Sequence, residues 1–102
     1  MTDPLRPLVY GYMRLDLIEG DVEICDERLE QFATVNGFEL AAIFHETAAD
    51  GPAFVALIDE LRRAHAHDVV VLSIDHFSGN RAPREALLDR LRRAGAQVRT
   101  LS

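Results

Sequence analysis

The run of residues 69–74, VVVLSI, constrains the fold of this chain more than any other part of its sequence. It has the length of a strand, and all but one of its side chains are apolar, whereas a half-exposed strand alternates apolar and polar residues. A strand that is apolar on both sides is typical of a sheet covered by helices on both faces, and such sheets are mostly parallel. The run therefore predicts an α/β fold with a buried strand.

Strands and helices are predicted to alternate along the chain. Residues 8–14, 38–44, 69–74 and 97–101 have strand character. Helices are expected to begin at Asp21, Pro52 and Asn80, and the first and third to end at Asn36-Gly37 and Gly95. Short connections favour right-handed crossovers. We expect one three-layer α/β domain over residues 8–102, with a largely parallel sheet of four to five strands flanked by helices, after a flexible lead-in at residues 1–7.

Charge argues against tight binding of nucleic acid by this chain. Eleven basic residues face seventeen acidic ones, which leaves a net charge of −6, and a nucleic-acid-binding protein needs a basic footprint to displace counterions from phosphates. The acidic excess lies in the first half, chiefly around the first predicted helix: Glu19, Asp21, Glu23, Asp26, Glu27 and Glu30 against Arg28. Most acidic faces are simply solvated, but this one is a candidate docking surface for a basic partner.

No segment predicts contact with a membrane. Apolar runs stay well short of the ~20 residues of a membrane span, and the first residues lack the pattern of a signal peptide. We therefore expect a cytoplasmic protein. The single cysteine, Cys25, lies on the apolar stripe of the first predicted helix, which predicts a buried, unreactive thiol.

Polar residues follow the predicted strands at their carboxyl ends, where parallel sheets bind ligands. One hypothesis is that the carboxylates of Asp16, Glu46 and Asp75 and the imidazole of His76, with or without His45, hold Mg²⁺ or Mn²⁺ for metal-dependent phosphoryl transfer. Their spacing contains no local ligand motif, so their convergence depends on the predicted topology. The preferred interpretation is a set of solvated residues with no metal and no cofactor.

Four sequence landmarks resemble the N-terminal catalytic domain of serine recombinases, the resolvases and invertases. That family opens on a strand reading Tyr-x-Arg-Val-Ser and later shows Arg-Pro before an apolar helix. Its third strand ends in Leu-Asp-Arg-Leu-Gly-Arg, and a helix ending in Leu-x-x-x-Gly precedes a closing strand. The matching segments here are residues 12–16 (YMRLD), 51–54 (GPAF), 74–79 (IDHFSG) and 91–95 (LRRAG). The resemblance covers nearly the whole chain and implies a resolvase-like fold.

The departures from the family pattern bear on function. In the family the Ser attacks a DNA phosphodiester and an Arg cluster stabilises the charge. Here Asp16 stands in the place of the nucleophile, and Gly51, His76 and Gly79 replace Arg, while Tyr12, Arg14 and Asp75 are unchanged. Loss of a catalytic nucleophile costs on the order of 10⁶ in rate, and loss of one phosphoryl-clamping Arg about 10³–10⁵.

The resemblance therefore implies a degenerate member without catalytic activity, acting as a regulatory or protein-interaction module. A protein partner or self-association is expected, with no strong binding of nucleic acid by this chain by itself. Family members continue into a long helix and a DNA-binding region, and we expect neither here. Two alternatives stay open: an accessory role in DNA recombination beside an intact recombinase, and the metal-dependent enzyme described above.

Overall fold

The computed structural model describes residues 6–48, 51–77 and 83–101. The strands are β1 (Leu8–Arg14), β2 (Glu39–Glu46), β3 (Asp68–Val71) and β4 (Gln97–Thr100), and the helices are α1 (Val22–Val35), α2 (Pro52–Ala64) and α3 (Arg84–Arg93). Short 3₁₀ turns, Leu15–Leu17 and Ile74–Phe77, follow β1 and β3. The strand order is β2-β1-β3-β4, and each neighbouring pair is parallel. The predicted α/β fold with a parallel sheet between helices is confirmed.

The β3 strand is buried as its sequence predicts. Val69, Val70 and Val71 are fully buried, and their side chains alternate between the two cores on either face of the sheet. The strand ends at Val71, earlier than predicted, because the apolar residues after it continue into the 3₁₀ turn that begins at Ile74. A continuous apolar run indicates burial, but it does not indicate where the backbone leaves the sheet.

The helix boundaries follow local chemistry. Asp21 caps α1 by accepting a hydrogen bond from the Glu23 backbone N–H at 2.8 Å, and the helix ends at Asn36 as predicted. Pro52 occupies the first turn of α2. The third helix begins at Arg84, because Pro83 before it has an extended backbone with ψ 154°. The predicted cap of this helix, Asn80, lies outside the described residues.

The sheet separates two hydrophobic cores. On one face α2 and α3 bury residues that include Phe54, Leu57 and Leu91. On the other face α1 alone buries Leu29 and Ala33. Each large apolar side chain among them, such as Phe54 or Leu29, contributes about 1.5–3 kcal/mol when it is buried.

Cys25 lies at the margin of the α1 core and is only partly buried. Its thiol is therefore less buried than the sequence predicts.

Over residues 6–48, 51–77 and 83–101, every helix is too short or too polar to cross a membrane.

Candidate functional site

The carboxyl ends of β1 and β2 and the turn after β3 bring most of the predicted site residues together. Arg14 is the register neighbour of Glu46, and His76 contacts the end of β1. His45 points elsewhere, since its Nε2 lies 2.9 Å from Asp26 Oδ1 on α1. Gly79 lies outside the described residues.

Arg14 is paired with Asp16 through two contacts. Arg14 Nε donates to Asp16 Oδ1 at 3.1 Å, and Arg14 Nη2 donates to Asp16 Oδ2 at 2.7 Å. The Arg14 side chain is 10% exposed, whereas that of Asp16 is 59% exposed. Bidentate pairs of this kind are the strong form of the arginine–carboxylate contact. An exposed carboxylate therefore occupies one edge of a largely buried guanidinium.

Asp75 does not take part in this pair. It forms an ion pair with Arg84 at the start of α3. The two charged residues that the resemblance leaves unchanged, Arg14 and Asp75, thus have separate partners.

His76 is a buried hydrogen-bond acceptor. Its Nδ1 accepts from the Arg14 backbone N–H at 2.9 Å, so Nδ1 carries no proton and the neutral ring holds its hydrogen on Nε2. Burial, with a smaller contribution from the charge of Arg14, lowers the pKa of His76. The imidazole therefore adds no positive charge at a position that the family resemblance assigns to Arg.

Because the pKa of His76 is lowered in the folded state, acid should destabilise the protein. The unfolded chain binds a proton at this residue near pH 6.5, whereas the folded chain resists it. Stability is therefore expected to fall as the pH drops below about 6.5. Urea denaturation between about pH 7.5 and pH 5.5 measures this change.

The matched variant for this pH profile is His76→Asn. Asparagine presents Oδ1 as an acceptor for the Arg14 N–H but does not titrate. We expect its stability to change less over the same pH interval. Parallel profiles for the two proteins would show that His76 is not the group responsible.

Glu46 is a buried carboxylate that holds the start of α2. Its Oε1 accepts from the Tyr12 hydroxyl at 3.3 Å and from the Phe54 backbone N–H at 3.2 Å. Its Oε2 accepts from the Ala48 backbone N–H at 3.4 Å. An anion at the first turn of a helix is stabilised by the unpaired N–H groups there. This role of Glu46 was not foreseen from the sequence, although an acidic residue shortly before a proline-initiated helix is a usable signal.

Tyr12 is held as a neutral phenol in an aromatic cluster. Burial, with the nearby Glu46 carboxylate, raises its pKa. Its ring stacks on Phe77 with centroids 5.5 Å apart and 3° between the planes, and meets the edge of Phe54 at 5.7 Å. The Tyr12 ring is therefore packed between two other aromatic rings of the α2–α3 core.

Gly51 lies at the N-cap of α2 with φ 73° and ψ 42°. This left-handed conformation suits glycine and disfavours a residue with a side chain. A Cβ at this position would lie 3.6 Å from Glu46 Oε1. The backbone here is therefore suited to glycine and not to the Arg of the family pattern.

The alternative of a metal centre on Asp16, Glu46 and Asp75 gains no support from the structure. In the part of the chain that the structure describes, no three His, Cys, Asp or Glu side chains are arranged to hold a metal ion. Asp16 and Asp75 are paired with arginines, and the Glu46 oxygens accept from the Tyr12 hydroxyl and two backbone N–H groups.

Two solved structures have a fold similar to that of this chain. The C-terminal catalytic domain of ISC1926 TnpA, an IS607-like serine recombinase, has a similar structure with a TM-score of 0.74 and 17% identity, covering 93% of this chain and 70% of that one. A resolvase family site-specific recombinase from Streptococcus pneumoniae has a TM-score of 0.72 and 16% identity, covering 94% of this chain and 72% of that one. At these identities the similarity shows the fold.

No curated protein sequence gives a significant match to the chain. Residues 9–102, nearly the whole sequence, match the family described as "Resolvase, N terminal domain". The chain therefore belongs to the resolvase family and corresponds to its N-terminal domain.

Proposed function

We propose that this protein is a catalytically inactive resolvase-like domain that acts through protein contacts. The observation that carries the proposal is the bidentate pair between Arg14 and Asp16. Asp16 stands where the family resemblance places the serine nucleophile, so the attacking hydroxyl is missing there, and the carboxylate in its place is held by the Arg14 guanidinium. It also repels a phosphodiester, because two like charges 4 Å apart interact by about 4 kcal/mol at an effective dielectric near 20.

The other departures from the family pattern support the same proposal. His76 is neutral and is engaged by the backbone of β1. Gly51 has a conformation that disfavours any side chain. Each missing cationic clamp costs a phosphoryl-transfer reaction about 10³–10⁵ in rate, and the missing nucleophile costs on the order of 10⁶. A domain that keeps the fold without this chemistry is suited to a regulatory or binding role.

A covalent-trapping assay tests the proposal. The protein is incubated with supercoiled plasmid DNA, with and without Mg²⁺ or Mn²⁺, and the products are separated under denaturing conditions. We expect neither nicked DNA nor a protein–DNA adduct. An intact serine recombinase on its own recombination site is the positive control.

The Asp16→Ser variant sharpens this assay. It restores a hydroxyl at the nucleophile position but leaves Gly51 and His76 in place. We expect it to remain inactive, because the positive clamp is still missing. An adduct formed by the original protein would overturn the proposal, and one formed only by the variant would place the whole defect at residue 16.

Membership of the resolvase family favours a second candidate, an accessory role in DNA recombination. In that role the domain would pair with an intact recombinase and change the rate of strand exchange. The trapping assay can be repeated with a recombinase from the native host, alone and mixed with this protein. This comparison separates the two candidates, because only the accessory role changes the amount of recombinase–DNA adduct.

A further inference from the structure

His76 supplies a hydrogen-bond acceptor beyond the end of the ladder between β1 and β3. The register of this ladder runs as far as Gly11 and Val70, whereas β1 continues to Arg14. The Arg14 backbone N–H donates to His76 Nδ1 at 2.9 Å. Because His76 belongs to the 3₁₀ turn after β3, this contact joins the turn to the end of β1.

The contact exists only while the imidazole is neutral. An imidazolium carries a hydrogen on both ring nitrogens, so protonation places an N–H on Nδ1 directly against the N–H of Arg14. His76 is 4% exposed, so water does not replace the lost contact while the ring stays in place. A second proton on the ring and its docked position therefore exclude each other.

The charged groups that face His76 act on it in opposite directions. Burial and, to a smaller extent, the Arg14 guanidinium of β1 lower its pKa. The carboxylates of Asp16, after β1, and of Asp75, in the same turn, raise it, and both side chains are more than half exposed. Arg84 at the start of α3 pairs with Asp75. The ring therefore accepts a proton most readily once it has left its buried position and lies near the two exposed carboxylates.

The turn is anchored on one side of His76 and exposed on the other. Phe77 is fully buried and stacks on Tyr12, whereas the Asp75 side chain is 65% exposed. Movement of Phe77 would break the aromatic cluster, but rotation of the His76 side chain toward solvent leaves that cluster in place. The smallest movement that separates the two N–H groups is therefore one of the His76 side chain.

We propose that His76 is an acid-operated latch between the 3₁₀ turn and β1. At neutral pH the ring is docked on the Arg14 N–H. In acid the imidazolium turns out to solvent near Asp16 and Asp75, while Phe77 stays packed. The release adds one positive charge to the surface of the candidate site and frees the Arg14 N–H. The latch is independent of catalytic inactivity, since neither of its states supplies a nucleophile.

An NMR titration of the ¹⁵N-labelled whole protein, lowered from about pH 7.5, tests the proposal. We expect the Arg14 amide signal to move along a one-proton curve whose midpoint lies below the ordinary histidine value of about 6.5, because the docked ring resists protonation. The amide signals of Leu29 and Val70, both fully buried in the α1 core, should keep their native positions. An Arg14 signal that stays in place until all native signals disappear together would overturn the proposal, because acid would then only unfold the protein.

Two asparagine variants identify the titrating group. His76→Asn keeps an acceptor for the Arg14 N–H but does not titrate, so the Arg14 signal should stay in place over the same interval. His65→Asn is the matched control: His65 is an exposed histidine with φ 54° at the end of α2, and asparagine tolerates this conformation. It should leave the Arg14 curve unchanged. A curve that persists in His76→Asn, or is lost in His65→Asn, would contradict the assignment.

Asp75→Asn tests the surroundings of the released ring. The Asp75 carboxylate favours the charged imidazole, so its removal should move the midpoint of the Arg14 curve to lower pH. A midpoint that does not fall would show that the titrating group is not beside Asp75 and is therefore not His76. Circular dichroism at about pH 7.5 confirms that each variant keeps the fold, which is expected for Asp75→Asn because this side chain is exposed.

Discussion

Replacing Phe77 by alanine is expected to lower the free energy of unfolding by about 3–5 kcal/mol. Phe77 is fully buried, stacks on Tyr12, and lies edge-on to Phe54 with centroids 6.2 Å apart. Its removal leaves a cavity where the 3₁₀ turn, α2 and β1 meet. Because His76 is the neighbouring residue in this turn, its contact with the Arg14 backbone should weaken as well. Urea denaturation followed by circular dichroism measures the loss.

The control for this prediction is Val55→Ala. Val55 is 43% exposed on α2, and exposed substitutions usually change stability by less than about 0.5 kcal/mol. If Phe77→Ala lost less than about 1 kcal/mol, the aromatic cluster would not be the packed support of the site that its geometry indicates.

Replacing Glu46 by alanine is expected to have the next largest effect. Glu46 is 3% exposed, and its carboxylate accepts from the Tyr12 hydroxyl and from the Phe54 and Ala48 backbone N–H groups. Each buried donor that loses its acceptor costs about 1–3 kcal/mol. The start of α2 should therefore loosen, and hydrogen exchange should speed up first at the Phe54 amide.

Glu46→Gln distinguishes this capping role from a simple need for charge. Glutamine keeps an amide oxygen for Tyr12 and Phe54, so its loss of stability should be smaller than that of Glu46→Ala. Glu27→Ala removes an exposed carboxylate from α1 and should have little effect. Equal losses for the alanine and glutamine variants would mean that the negative charge, and not the acceptor geometry, holds this helix.

The order of elements was predictable because it depends on local patterns. The apolar run at 69–74 predicted a buried strand. The cap Asp21 and the first-turn proline Pro52 predicted where two helices begin, and the structure confirms all three. The prediction was less accurate where burial continues after a strand ends. The segment from Ile74 to Phe77 is such a case, since Phe77 is fully buried and Ile74 partly buried in a 3₁₀ turn.

The candidate site was predictable in its position but not in its contacts. Parallel strands bring their carboxyl ends to one edge, so the proximity of Arg14, Glu46 and His76 follows from the topology. The partner of each side chain does not. Asp16 and Asp75 both follow strands that neighbour Arg14 at this edge, and the structure pairs Arg14 with Asp16 and not with Asp75.

By itself, the sequence determined the alternation of strands and helices and the buried parallel sheet. These features depend on residue type and on the periods of strand and helix, which are local. Only the tertiary structure decided that Glu46 turns inward to cap α2 and that His76 accepts from the Arg14 backbone. Each of these depends on side chains far apart in the chain meeting at one place, and the available donors, acceptors and surfaces there are set by the packing of the sheet.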